Sequence, residues 1–400
     1  MHPLFKVLMA PETGDAVKET LYSGYVGQGE KVQEFEDLLE KTFGWQYTLT
    51  TNSCTSALQL ALHLIKSYED WGGQVNYQRT EVLLPPLSCF ATTSSVLAAG
   101  LKPSWVDIDP ETLCMDLDDL ERKLSRHTKA VMVVHYAGMP VNLFKLDIIL
   151  DKHQERYGYR PFVIEDCAQA LGSLIGGKFL GTRSNNIKCF SFQAVKFLTT
   201  GDGGAIVLPN KELYERARDL RWYGLDRDTH IRGQDIEESG FKYHMNDIAA
   251  TMGIANLNYI CEHKLMTKQM QRYLQCVEEL EAVPGIKVPY ALPTVAAYSI
   301  LPWPCTNQLP LIVEGDVDSF ELRLQTEYQI DCDAAHYRCD THKCVKDYRS
   351  NSPLTGMDYV EMTLTMVPIG WWLSDSEFEY VIQAVKGEYT DKCDWAKEGF

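Results

Sequence analysis

The sequence predicts an α/β protein: a large domain over 1–255 with a parallel or mixed sheet covered on both faces, then a smaller C-terminal α+β domain over 256–400. Two observations predict the large domain. Apolar runs of strand length recur at Val82-Leu83-Leu84, Trp105-Val106-Asp107-Ile108, Ala130-Val131-Met132-Val133-Val134 and Phe162-Val163-Ile164. Helical stretches, Met115 to Leu124 and Leu143 to Tyr157 among them, lie between these runs, which is the alternation of a layered α/β sheet. A third observation sets the boundary. After Asn246 a long helical region runs to about Leu280, Pro284-Gly285 punctuates it, and strands and helices then follow in a different order.

Taken in chain order, Val32, Phe35, Leu38, Leu39 and Phe43 have helical spacing, and Gly44 stops the pattern. Tyr47-Thr48-Leu49-Thr50 reads as a short strand that runs into Asn52-Ser53-Cys54-Thr55-Ser56 and a buried helix through Leu58 to Leu64. Two further strands, Cys189-Phe190-Ser191-Phe192 and Ala205-Ile206-Val207-Leu208, bracket a loop rich in Thr and Gly. Composition supports a soluble globular chain: of 400 residues 45% are hydrophobic, 23% charged and 11% aromatic. The net charge of −17 argues against a general nucleic-acid binder, which needs a basic surface.

No run of apolar residues is long enough to span a membrane. Residues 1–20 do not read as a secretory signal, because Lys6, Pro11, Glu12 and Asp15 interrupt them. The twelve cysteines are scattered without framework spacing. Free thiols and a cytoplasmic location are therefore expected.

Three stations carry chemistry. The first is the strand–turn–helix at Thr51 to Ser56: a helix N-terminus offers unpaired N–H groups and a favourable dipole to a phosphate. Simple capping by Asn52 or Ser53 is the competing reading. The second is Phe162-Val163-Ile164-Glu165-Asp166, an apolar strand ending in two carboxylates at the edge where α/β sheets bind ligands. There Asp166 is either a ligand group or a helix cap. The third is Lys196, set between Val195 and Phe197 and followed by Thr199-Thr200-Gly201-Asp202-Gly203-Gly204. Apolar surroundings favour the neutral amine, which suits Schiff-base chemistry, and the glycines do not form a Walker loop. A phosphate cradle, a strand-end Asp and an enclosed Lys are together what a pyridoxal phosphate site needs.

Ile164-Glu165-Asp166-Cys167-Ala168-Gln169-Ala170, followed by Phe190-Ser191-Phe192-Gln193-Ala194-Val195-Lys196 with Thr199 to Gly204, resembles the DegT/DnrJ family of nucleotide-sugar aminotransferases. The resemblance extends from Gly24-Tyr25-Val26-Gly27-Gln28-Gly29 to Leu373-Ser374-Asp375. It implies the fold-type I architecture of pyridoxal 5'-phosphate aminotransferases, with pyridoxamine phosphate left by the first half-reaction and used in the second. Under it Lys196 is the Schiff-base lysine and Asp166 partners the ring nitrogen. Gln169 lies near the ring oxygen and Phe90 stacks on the ring. Ser191 and the turn Ser53-Cys54-Thr55 hold the phosphate. Asn246 reaches the phosphate of a neighbouring subunit, which implies an obligate homodimer with shared sites.

Cys54 departs from the family's usual Gly, which makes close approach at the turn harder. Tyr25, His135, His336 and His342 are candidates for substrate contact. The resemblance further implies transamination of a nucleotide-linked keto-sugar with glutamate as donor. A hint in Val134 to Gly138 and in Phe241 to Asn246 favours C4 of a 4-keto-6-deoxy sugar. The alternatives are amination at C3, a dehydratase relative (disfavoured because Lys196 is not His) and a cofactor-binding regulator. Cys332, His336, Cys339, His342 and Cys344 lack the paired spacing of a zinc site, so no metal is expected. Asp118-Asp119 and Glu278-Glu279 read as solvated helix faces.

Overall fold

The computed structural model describes residues 1–66, 79–182, 185–227, 235–290, 302–334 and 336–390. Its centre is a seven-stranded sheet in the order Thr48–Thr51, Gly204–Val207, Ile187–Ser191, Phe162–Asp166, Thr128–Val134, Glu81–Leu84, Lys102–Trp105. Only Gly204–Val207 runs antiparallel to its neighbours; the last five strands of that order pair in parallel. Alternation along the central strands feeds a separate core on each face. Leu83, Val131, Val133 and Val163 pack on one side, and Val82, Leu84, Met132, Val134 and Ile164 on the other.

The helix begun at Glu30 ends at Phe43, with Gly44 left-handed at its C-terminus. The helix Leu143–Tyr157 has the expected bounds, capped by Asn142 through the N–H of Lys145. Three expectations need correction. The strand expected at Trp105–Ile108 is Lys102–Trp105, and Ile108 instead pairs with Met115 in a two-stranded ribbon. Asp107 explains the departure: its carboxylate accepts the N–H groups of Gly356 and Met357 and so caps the distant helix Thr355–Thr363. The following helix is Leu117–Lys123, with Met115 in the ribbon and Asp116 as its cap. Asp119 does not face solvent. It is buried, accepts the Asp107 N–H at 2.8 Å and pairs with Lys123 at 2.7 Å.

The long helical region after Asn246 is two helices, Asp247–Glu262 and Leu265–Leu280, broken where Lys264 turns left-handed (φ 51°). Residue 255, the expected division, lies inside the first of them. Beyond the second helix a three-stranded antiparallel sheet, Ile286–Lys287, Gln308–Val313 and Leu364–Pro368, forms with Val317–Thr326 and Asp375–Thr390. Among the described residues no helix is long and apolar enough to cross a membrane.

Candidate active site

The carboxyl end of the central strand Phe162–Asp166 sets the site. Alternation sends Glu165 and Asp166 to opposite faces. Asp166 is buried; its Oδ2 accepts the Thr92 hydroxyl at 2.7 Å and its Oδ1 the Ala168 N–H at 3.1 Å. Burial pushes this carboxyl above the usual carboxylate range, against the pull of Thr92, Ala168 and the Lys196 charge. Glu165 is the reverse case. Burial works against its charge, yet His135, Lys188 and Asn186 hold its carboxyl below the usual range.

Lys196 stands in the loop that leaves the neighbouring strand Ile187–Ser191, its N–H bonded to Gln193 O. The loop closes on itself: the Thr200 N–H and the Thr199 hydroxyl both reach Phe192 O, and the Gly201 N–H reaches the Thr199 hydroxyl. The chain then returns as Gly204–Val207, where Gly204 is opposite both Ser191 and Thr51. A Cβ on Gly204 would lie 2.5 Å from Cys54 N and 2.6 Å from Ser53 C. Close approach at this turn is therefore made by Gly204 from across the sheet, so the Cys54 side chain is tolerated and buried. Helix Cys54–Lys66 begins here, with its first N–H groups beyond intrahelical reach. Ser53, not Asn52, caps it: Ser53 Oγ accepts the Ser56 N–H at 3.1 Å, while the Asn52 amide donates to Lys242 O.

A cavity of about 230 Å³ brings together Lys196, Gln169, Ser191 and His336. Cys305 to Gln308, which lead into the strand Gln308–Val313 of the second sheet, and Leu4 and Phe5 from the N-terminus form further walls. Burial and the nearby Lys196 charge depress His336 to about 4. Phe90 opens the helix Phe90–Ala98, and the His342 ring meets it edge-on at 5.0 Å. Gln169 Oε1 accepts the Ala137 N–H at 2.6 Å.

Asn246 lies outside this cavity, exposed at the start of helix Asp247–Glu262, where its Oδ1 caps through the Ala249 N–H. Tyr25 is 81% exposed and does not line the cavity.

His135 corrects the expectation of a substrate contact. It is fully buried, its Nδ1 accepts the Val141 N–H at 3.0 Å, and its Nε2 faces Glu165 at 3.1 Å. With both ring nitrogens engaged, the gathering of His135, Glu165 and Cys167 has no free imidazole lone pair for a metal. Two thiols of the Cys332 to Cys344 segment point to separate partners, Cys332 donating to Glu321 O and Cys339 to Ser88 O, and Cys344 is exposed. Sequence reasoning missed Thr92, although it lies two residues past Phe90, and it missed the wall at Cys305 to Gln308, which has no local signal.

A buried carboxylate, a lysine amine at a cavity, a serine hydroxyl and a helix N-terminus approached through a glycine are the groups that pyridoxal phosphate requires, and their arrangement fits it. Fold and site define a fold-type I pyridoxal phosphate enzyme. The chain belongs to the DegT/DnrJ/EryC1/StrS aminotransferase family, whose sequence model matches residues 8–386, and it is a pyridoxal phosphate-dependent aminotransferase. It is similar to the crystal structure of AtS13 from Actinomadura melliaura, with 38% identity, 97% of this chain and 98% of that one covered, and a TM-score of 0.88. The sugar aminotransferase CalS13 from Micromonospora echinospora has 34% identity, 97% and 100% coverage and a TM-score of 0.86. An uncharacterised protein of Methanocaldococcus jannaschii, MJ1066, is 33% identical over 295 residues, 72% of each chain.

Proposed function

We propose that this aminotransferase carries an amino group from glutamate to a nucleotide-linked keto-sugar, at C4 of a 4-keto-6-deoxy sugar, in a ping-pong reaction. The observation that carries the reading is the shared cavity of Lys196, Gln169 and Ser191 in a chain 34% identical to a sugar aminotransferase. The likeness of Val134 to Gly138 and of Phe241 to Asn246 to C4-aminating relatives supports the regiochemistry.

When bound, pyridoxal phosphate supplies an aldehyde for an amine to hold and a ring that stores an electron pair. The chain's own residues do the rest. Lys196 Nζ would hold the cofactor's aldehyde and, as a free amine, would take the proton from the donor's α-carbon. Asp166 holds a proton on the ring nitrogen, and Thr92 and Ala168 keep its carboxylate aimed. The N–H groups opening helix Cys54–Lys66, with Ser53, Thr55 and Ser191, bind the phosphate. Phe90, which meets the His342 ring edge-on, would hold the ring by stacking. His336 and His342 stand at the substrate mouth.

The working unit is a homodimer in which Asn246 offers its amide NH2 to the phosphate site of a second copy. Every described cysteine is a free thiol, which supports a cytoplasmic setting.

The test incubates the holoenzyme with glutamate and a nucleotide-linked 4-keto-6-deoxyhexose, then locates the new amine by NMR. Amine on C4 is the expected result. Turnover of the corresponding 3-keto sugar, offered in a parallel reaction, with none of the 4-keto sugar transfers the reading to C3. Bleaching of the visible band by glutamate that no keto-sugar restores would refute the substrate class.

A further inference from the structure

We propose that the turn Tyr136–Gly138, clamped by His135 and Ser173, is a positioning element that fixes the Gln169 amide with its NH2 toward the Lys196 cavity. The proposal rests on the reading of Lys196 as the cofactor-bearing lysine. Ala137 sits in the left-handed region (φ 48°), where an L-residue is strained, and its N–H donates to Gln169 Oε1 at 2.6 Å. An amide has one oxygen. Once that oxygen is taken by a backbone donor, the group presents donors elsewhere. Gln169 lines the same cavity as Lys196 and Ser191, so the structure assigns Nε2–H to that side.

The strained turn is held from two sides. His135 spans it: the main-chain N–H of His135 binds Asp166 O at 3.1 Å, and Nδ1 accepts the Val141 N–H beyond the turn at 3.0 Å. Because Nδ1 is an acceptor, Nε2 carries the ring proton and donates it to Glu165 at 3.1 Å. On the other side, Ser173 Oγ donates to Gly138 O at 2.8 Å and accepts the Cys305 N–H at 3.0 Å. Gly138 is left-handed (φ 79°), and a Cβ there would lie 2.9 Å from Cys305 O. The turn therefore cannot rotate Ala137 away from Gln169 without breaking contacts to Asp166, Val141 and Ser173.

Under the same reading the Gln169 amide NH2 would face the cofactor's ring oxygen, where a donor draws on the negative charge that otherwise retains the proton at the lysine nitrogen. Losing the donor raises the pH at which the visible band titrates. The test titrates that band in holoenzyme for wild type, Gln169→Ala, His135→Asn, Ser173→Ala and the two doubles that include Gln169→Ala. Gln169→Ala raises the midpoint by about one pH unit, the scale of one charge-assisted hydrogen bond. His135→Asn and Ser173→Ala raise it in the same direction by less. Neither adds a further shift to Gln169→Ala, because all act through one amide.

Ser173→Ala, a small change at the outer clamp, decides the matter if His135→Asn does not fold. Midpoints unchanged from wild type in Ser173→Ala, or shifts that add to Gln169→Ala, overturn the proposal. A wild-type band that survives in Lys196→Ala overturns the cofactor assignment instead.

Discussion

The Thr92 hydroxyl donates to Asp166 Oδ2 at 2.7 Å, joining the helix Phe90–Ala98 to the strand end that carries the carboxylate. Both residues are buried, so this bond and the Ala168 N–H are what keep the carboxylate aimed. It also couples Phe90 and Asp166, since Phe90 lies on the same helical turn as Thr92. Whatever moves one moves the other.

Asp166→Asn separates function from stability. Burial raises the folded pKa of Asp166 above its unfolded value, so the folded state binds the proton more tightly and stability falls as pH rises between the two values. Removing the charge is expected to raise the melting temperature of the apoprotein at pH 7 by about 1–3 °C. The gain vanishes at acid pH, where both proteins are neutral at this position. Turnover falls by roughly 10²–10³-fold. Calorimetry at pH 7 and pH 3.5 checks the first outcome and steady-state kinetics the second; a variant that melts lower at pH 7 contradicts it.

Gly204→Ala is expected to weaken pyridoxal phosphate binding by roughly tenfold or more, because its Cβ displaces the Cys54 N–H and Ser53 carbonyl carbon at 2.5 and 2.6 Å. Cys54→Gly gives the opposite pattern: cofactor affinity near wild type and stability lower by about 1 kcal/mol from added chain entropy. Fluorescence titration of the apoproteins and urea melts read both. Equal affinities for wild type and Gly204→Ala would remove Gly204 from the cradle.

Glu36 and Arg221 form a buried pair at 2.6 Å, and Glu36 Oε1 also accepts the Thr50 N–H and hydroxyl at 2.7 and 2.8 Å. Glu36→Ala strands the Arg221 charge beneath the strand Thr48–Thr51 that leads to the turn at Ser53. The expected cost is about 3–5 kcal/mol, read as the loss of free energy in chemical denaturation. A cost under about 1 kcal/mol would mean that water reaches Arg221.

His336 is held near 4, well below its unfolded value, by burial and by Lys196. The unfolded chain therefore binds the proton first, so stability is lost as pH falls from about 6.5 toward 4. His336→Gln is expected to flatten that part of the melting-temperature profile. The same variant leaves the shape of kcat/KM against pH unchanged between pH 6 and 9, because His336 is already neutral there. A wild-type ionisation in that range that disappears in the variant would contradict this.

The stations of the site were legible because their signals are local. Asp166 is the last residue of an apolar run, Lys196 stands before a Thr-Gly turn that folds on itself, and Ser53 precedes a helix. Periodicity, caps and turn chemistry act within a few residues, so one stretch of sequence suffices to read them. The strand at Lys102–Trp105 was misplaced for the complementary reason: Asp107 leaves the sheet to cap a helix that begins at Thr355.

What the sequence by itself determined is the order of sheet and helix and the identity of the groups at the strand ends. Only the tertiary structure decided how they face one another. His135 carries the same local pattern whether it meets substrate or Glu165, and Gln169 the same pattern whichever end of its amide meets the cavity. Those choices turn on the Val141 and Ala137 N–H groups, on Ser173 and on the Cys305 wall. A hydrogen bond depends on distance and direction between donor and acceptor, and distance across a folded chain is not a property of separation along it.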